Sequence, residues 1–277
     1  MQNAAAILAL IALLAPMTPA AAQEKSERLL VVAATTSVHD SGLFDYLVPR
    51  FYAATGITIR VVSRASANAL MTAERGTIDA AIVNDAEALD RFAAAGEGMR
   101  RHRVMFNRFV IVGPAADPAG VRGMKDAAGA LREIARQRAV FLSRGDDSGT
   151  HVAEQHLWQA AGVNPKARSG GWYRETGLGM GLTVRMAGRL GAYALTDRAT
   201  WLKAGDPGLS RVLVDGDPRL FNPYEVVLVN PALHPHVNVA AANTLVDWLL
   251  SAEGKSAIAE YRVNGEQMFT PSPGETN

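Results

Sequence analysis

The chain has 277 residues, 48% of them hydrophobic and 20% charged, with a formal net charge of +1. That is enough apolar material for two separately cored lobes or one large domain, and too ordinary a composition for a disordered chain. Acids and bases are interspersed, which excludes a broad field for nucleic acid or an anionic membrane and leaves any anion site local. Cysteine is absent, and with it disulfides, thiolate catalysis, Cys-ligated metals and a lipid-anchoring cysteine.

From Met1 to Gln23 no side chain is charged, and the apolar run Ala4 to Ala15 is followed by Pro16, Pro19 and Ala20-Ala21-Ala22. This reads as a signal peptide over residues 1–22, with an apolar stretch too short to span a bilayer, although no Lys or Arg opens it. The expected product starts near Gln23 and is soluble in an extracytoplasmic compartment, most simply the periplasm.

Arg28 to Ala34 is an apolar, β-branched run that predicts a first strand ending in Thr35-Thr36-Ser37. A helix follows from Ser41, with Leu43, Leu47 and Phe51 on one face and Gly56 at its end. Ile57 to Ser63 and Ile78 to Val83 predict strands, and Ala67 to Glu74 and Ala86 to Ala95 predict helices. This alternation implies an α/β lobe with a mostly parallel sheet flanked by helices.

Arg103 to Gly113 is long for one strand, and a second extended run, Tyr224 to Asn230, comes much later. Together they predict a chain that crosses into a second lobe and returns: lobe 1 from 23–108, lobe 2 from 109–222, and a return segment with C-terminal helices from 223–277. The middle segment predicts helices at Lys125 to Arg138, Thr150 to Ala161 and Gly179 to Leu190, and strands at Ala139 to Leu142 and Ala192 to Leu195. Val239 to Leu250 and a shorter helix through Ile258 close the chain.

The most informative stretch is Ser143-Arg144-Gly145-Asp146-Asp147-Ser148-Gly149-Thr150-His151, between a strand and a helix start. Such a loop directs backbone N–H groups, hydroxyls and a guanidinium at one point, as a bound oxyanion requires. In open α/β sheets ligands bind at the carboxyl ends of strands. Thr35, Thr36 and Ser37 from one lobe would then face Arg144, Ser148, Gly149 and Thr150 from the other. Helix capping explains each hydroxyl loop alone equally well. Arg144 beside a positive helix N-terminus favours an anion between them, unless Asp146 or Asp147 neutralises it internally. Gly177-Leu178-Gly179-Met180-Gly181 offers further backbone donors at Gly179 and Met180, or merely a turn with a close helix contact; it lacks dinucleotide spacing.

Ser37 with His39 and Asp40, or Ser148 with His151 and Asp147, has the residue types of a serine hydrolase. Neither serine sits in a G-x-S-x-G elbow, and helical geometry turns His151 away from the Ser148 hydroxyl. His151, Glu154 and His156 lack metal-ligand spacing, so no metal cation is expected.

The stretches 34–43 (ATTSVHDSGL), 104–114 (VMFNRFVIVGP), 143–151 (SRGDDSGTH), 171–181 (GWYRETGLGMG), 192–201 (AYALTDRATW) and 268–271 (MFTP) resemble the periplasmic tungstate-binding proteins of ABC transporters. The resemblance covers nearly the whole mature chain. It implies a two-lobed type II periplasmic binding protein fold whose lobes close around one dehydrated tetrahedral oxyanion. Delivery to a membrane permease with a cytoplasmic ATPase follows, by a monomer, without catalysis and without a cofactor. By position, Thr36 and Ser37 match the family's threonine-serine motif, and Arg144, Ser148 and Thr150 its second-lobe arginine and hydroxyls. Ala34 replaces a threonine, and Ala65-Ser66-Ala67 stands where the family has Gly-Thr-Gly; Ser66 keeps the hydroxyl, and Arg64 adds an unexpected charge.

The same loop resembles that of phosphate-binding proteins, in which an aspartate at the place of Asp146 accepts the ligand's proton. An unprotonated tungstate or molybdate would be repelled there, so Asp146 is expected to point away from the anion. The expectation is an oxyanion receptor for tungstate, with molybdate left open as a second ligand, phosphate as the alternative and an exported hydrolase as the distant rival.

Overall fold

The computed structural model describes residues 28–273; the expected signal peptide lies outside them. The chain starts with β1 (Leu29–Thr35), then α1 (Thr36–Ser41), α2 (Leu43–Thr55), β2 (Thr58–Arg64), α3 (Ser66–Glu74), β3 (Ala80–Val83) and α4 (Ala86–Ala94). β1 pairs in parallel with both β2 and β3, so the carboxyl ends of the three strands lie together. The helix predicted from Ser41 is α2, ended by Gly56 with φ +71°, a left-handed conformation that glycine adopts without strain. The six-residue α1 was not foreseen, because so short a helix shows no periodicity.

β4 (Gly98–Pro114) runs for 17 residues and serves both halves of the molecule. Its residues from Gly98 to Arg108 pair antiparallel with β9 (Phe221–Val229), and from Phe109 to Pro114 with strands of the other lobe. That lobe contains α5 (Ala127–Arg136), β5 (Phe141–Ser143), α6 (Gly149–Ala160), β6 (Tyr173–Glu175), α7 (Met180–Leu190), β7 (Ala194–Asp197), α8 (Arg198–Ala204) and β8 (Ser210–Val214). β9 returns to pair with β3, and α9 (Val239–Leu250) and α10 (Ala252–Glu260) pack on the first lobe. Among the described residues, the strand pairs β1–β2, β1–β3 and β5–β6 are parallel, and isolated parallel bridges join Phe141 to Tyr193 and Ser169 to Tyr173; the strands that cross and return are antiparallel to their neighbours. Strands joined through a helical crossover, as β1 and β2 are, re-enter in parallel, whereas β4 and β9, which carry the chain between the lobes, run against their neighbours.

Each lobe has its own apolar centre. Leu30, Leu47, Phe51, Tyr224, Leu245 and Trp248 pack in the first, with Phe51 edge-on to Trp248 at 5.5 Å. Phe141, Leu157, Trp158, Tyr173 and Tyr193 pack in the second. Each such aromatic or aliphatic side chain stabilises the fold by roughly 1.5–3 kcal/mol through burial. No helix among the described residues is long and apolar enough to cross a membrane.

Candidate functional site

The loops at the strand ends meet. Arg144, only 2% exposed, reaches from the second lobe and donates through Nη2 to Thr36 Oγ1 at 2.6 Å. The backbone N–H of Gly149 donates to Ser66 Oγ at 3.4 Å, and that of Gly181 to Asp40 Oδ2 at 3.0 Å. A cavity of about 310 Å³ lies beside this seam, lined by Thr36 and Asp40 from one lobe and by Gly179, Gly181 and Arg185 from the other. A larger cavity, about 500 Å³, is lined by Arg138, Val140, Trp172 and Arg174, at the opposite ends of β5 and β6 from these loops.

Helix starts distinguish capping from the alternative. Asp85, Asp126, Asp197, Asn238 and Ser251 cap α4, α5, α8, α9 and α10 with their own side chains. The helices that begin at the cleft, α1, α3 and α7, start after Thr35, Ala65 and Gly179 without a side-chain cap. At α7 the Asp40 carboxylate takes the Gly181 N–H, whereas the starts of α1 and α3 have no side-chain cap of their own and turn their partial positive charge to the seam. α6 is different. Ser148 caps it by accepting from His151 N–H at 3.2 Å, and gives its hydroxyl hydrogen to Asp146 Oδ1 at 2.6 Å.

Arg144 is neutralised within its own loop. Its Nε and Nη2 donate to Asp146 Oδ2 at 3.1 and 2.5 Å. The other carboxylate oxygen accepts from the Ser148 hydroxyl and from Ser148 N–H at 3.3 Å. Four donors saturate a carboxylate's two oxygens. Both the internal ion pair and the cleft position of Arg144, weighed as alternatives from sequence, occur together.

Three buried side-chain atoms in these loops have no hydrogen-bond partner: Thr35 Oγ1, Arg144 Nη1 and Thr150 Oγ1. An unpaired buried polar atom costs about 1–3 kcal/mol, and these three lie in adjoining loops. Ser37 is fully buried with its Oγ 3.3 Å from the Tyr224 hydroxyl, and Ser66 donates to Asn84 Oδ1 at 3.0 Å. Met180 is buried at the start of α7. Arg64 is exposed and donates to the Ser63 carbonyl.

No Ser-His couple forms at either serine considered. His151 accepts the Asp147 N–H on Nδ1 at 3.2 Å, and burial pushes its imidazole below its ordinary pKa. His156 lies 3.4 Å from Glu87, while Glu154 Oε1 accepts from Trp158 Nε1 and the Tyr173 hydroxyl at 3.0 and 2.9 Å. These three side chains diverge. Burial pushes the Glu154 carboxyl up to about 7 and that of Asp197, beneath the cleft, up to about 6.

The PBP superfamily domain matches residues 18–253. The tungstate-binding protein TupA of Peptoclostridium acidaminophilum is 40% identical, covering 96% of this chain and 94% of its own. The chain belongs to the PBP superfamily and, within it, to the TupA family. Two solved structures agree. The tungstate-binding protein TupA from Desulfovibrio alaskensis G20 is 41% identical over 88% of this chain and 98% of that one, with a TM-score of 0.75. The tungstate ABC transporter structure from Geobacter sulfurreducens is 42% identical over 85% and 99%, with a TM-score of 0.77.

Within this TupA-family chain, of the residues expected at the site, Thr36 meets Arg144 and Ser66 meets Gly149 across the lobes. Sequence reasoning missed Asp40, whose carboxylate crosses to α7, and Asn84, which lies against Gly149. Asp40 sits inside the 34–43 stretch, four residues after Thr36, where its place one helical turn along α1 was the available signal.

Proposed function

We propose that the chain is an extracytoplasmic receptor that captures tungstate and hands it to an ABC permease driven by a cytoplasmic ATPase. The observation that carries this reading is the set of three buried, unpartnered side-chain atoms, Thr35 Oγ1, Arg144 Nη1 and Thr150 Oγ1, beside the uncapped starts of α1 and α3. A tetrahedral dianion offers acceptors in several directions and no proton. It complements donors held on both lobes, whose fixed positions offset the loss of its hydration shell. Thr36, Ser37, Ser148, Gly149, Gly179 and Met180 frame the site, Ser148 by holding Asp146 and the start of α6.

Phosphate fits less well. Recognition of hydrogen phosphate needs an acceptor for its proton, and both oxygens of Asp146 are engaged by Arg144 and Ser148. The protein is a binder, not an enzyme, and molybdate, alike in charge and shape, is expected to compete.

The test is Thr35→Val together with Thr150→Val. Removing two orphaned hydroxyls is expected to leave the ligand-free protein as stable as before or more so, and to weaken tungstate binding about 100-fold or more, taking roughly 1.5 kcal/mol per lost donor to a charged ligand. Calorimetry showing unchanged tungstate affinity would refute the assignment of these donors.

A further inference from the structure

Beneath the cleft, where β4 and β9 cross between the lobes, side chains from β4, β7, β9, α3 and the loop after β3 form one hydrogen-bonded chain. Asn107 Nδ2 donates to Asp197 Oδ1 at 3.2 Å. Asn222 Nδ2 donates to Asn107 Oδ1 at 2.7 Å and to the Tyr224 hydroxyl at 2.8 Å. Asn84 Nδ2 donates to Asn222 Oδ1 at 2.9 Å, Ser66 Oγ to Asn84 Oδ1 at 3.0 Å, and Gly149 N–H to Ser66 Oγ at 3.4 Å. Asn107, Asn222, Asp197 and Ser66 are all buried.

Apart from the branch from Asn222 to the Tyr224 hydroxyl, every donor in this chain points toward Asp197. The carboxylate accepts only, and its other contacts, the N–H and hydroxyl of Thr200 at 2.9 and 2.6 Å, are also donors. It therefore orients the amide NH₂ of Asn107, whose oxygen orients Asn222, whose oxygen orients Asn84, whose oxygen takes the single hydrogen of Ser66. Ser66 is left with lone pairs for the Gly149 amide of the opposite lobe. The approach there is close: a Cβ on Gly149 would lie 2.3 Å from Asn84 Oδ1 and 2.6 Å from the Asn84 carbonyl. A reversed Asn84 would present its NH₂ to Ser66 Oγ, which could then no longer give it its hydrogen.

We propose that Asn84, Asn222 and Asn107 are positioning residues that form a one-way relay, anchored on Asp197, which keeps Ser66 an acceptor for Gly149 and holds the lobes closed on the anion. Ser66 then closes the cleft instead of donating to the ligand. The relay's effect on affinity rests on the oxyanion reading above, and its effect on the Gly149 amide does not.

Asn222→Asp keeps shape and an acceptor for Asn84 but sets a second acceptor against the Asn107 oxygen, breaking the chain of donors. This variant, Ser66→Ala and the double variant are compared by hydrogen exchange at Gly149, with and without tungstate, and by tungstate calorimetry. Each single variant is expected to speed Gly149 exchange and weaken affinity about tenfold, the scale of one hydrogen bond, with β1 amides as protected as in the wild type. The double variant is expected to be no weaker than the weaker single, because both changes remove one contact. A general structural role would instead give additive losses and lowered protection throughout. Unchanged Gly149 exchange in Asn222→Asp, or additive losses in the double variant, would overturn the relay. Exchange at Gly149 that depends on Asn222 in a protein that ignores tungstate would support the relay and sink the ligand reading. If Asn222→Asp does not fold, Asn84→Asp, which still accepts from Ser66 but cannot donate to Asn222, is expected to give the same exchange and affinity changes; its failure to do so would equally overturn the relay.

Discussion

Removing Arg144 perturbs two things that one well-chosen pair of variants separates. Its guanidinium holds Asp146 through two nitrogens, donates to Thr36, and keeps Nη1 without a partner. The side chains of Arg144 and Asp146 are 2% and 16% exposed, so Arg144→Met leaves a largely buried carboxylate without its cation. Breaking a buried pair from one side costs roughly 3–5 kcal/mol, and the two Ser148 donors that remain on Asp146 place the expected loss at the low end. Arg144→Met/Asp146→Asn removes both charges and recovers most of that stability. Neither variant restores the donor to the anion. A hydrogen bond to a charged group contributes about 1.5–3 kcal/mol, so both variants are expected to bind tungstate at least tenfold more weakly. Thermal melts read the first effect and calorimetry the second. A double variant that melts like the wild type and binds tungstate as tightly would refute the role given to Arg144.

Other outcomes follow from the same geometry. Gly149→Ala would press a Cβ onto Asn84; it is expected to leave each lobe folded, prevent full closure in small-angle scattering, and weaken tungstate binding more than tenfold. Burial lifts Glu154 from 4.5 to about 7 and Asp197 from 3.8 to about 6. Between these limits the folded state binds more protons than the unfolded one, so stability falls as pH rises, by about 3 kcal/mol from Glu154 alone. Urea melts from pH 4 to 8 should show that decline, and Glu154→Gln, which keeps an acceptor for Trp158 and Tyr173, should flatten about half of it, the rest belonging to Asp197. Asp146→Asn is expected to preserve tungstate binding better than Arg144→Met does, whereas a phosphate receptor would lose its ligand with that change.

The parts of the fold legible in the sequence are those where many residues repeat one signal. Leu43, Leu47 and Phe51 mark α2 and the apolar run from Arg28 marks β1, because burial of one face demands a period. α1, α8 and β8 are not legible: each is seven residues or shorter and, unlike the equally short β3 and β5, none stands out as a continuous apolar run between helical patterns. The loop at 143–151 was legible as chemistry, since Arg144, Ser148 and Thr150 are concentrated in one turn. Its internal pairing was not, because whether Asp146 turns to Arg144 or away depends on torsions that spacing does not reveal. The relay asparagines are separated by 23 and 115 residues along the chain, counting Asn84 to Asn107 and Asn107 to Asn222. Their only trace is an amide interrupting each of two apolar strands, and only the crossing of β4 and β9 brings them together.

The central claim is that the two lobes close on an unprotonated tetrahedral dianion. Calorimetric titration of the chain from Gln23 onward with tungstate, molybdate, sulfate, chromate and phosphate tests it most directly. The account predicts one site per chain, tight binding of tungstate with molybdate as its nearest competitor, and phosphate far weaker. Phosphate as the tightest ligand, or no heat with tungstate, would contradict it.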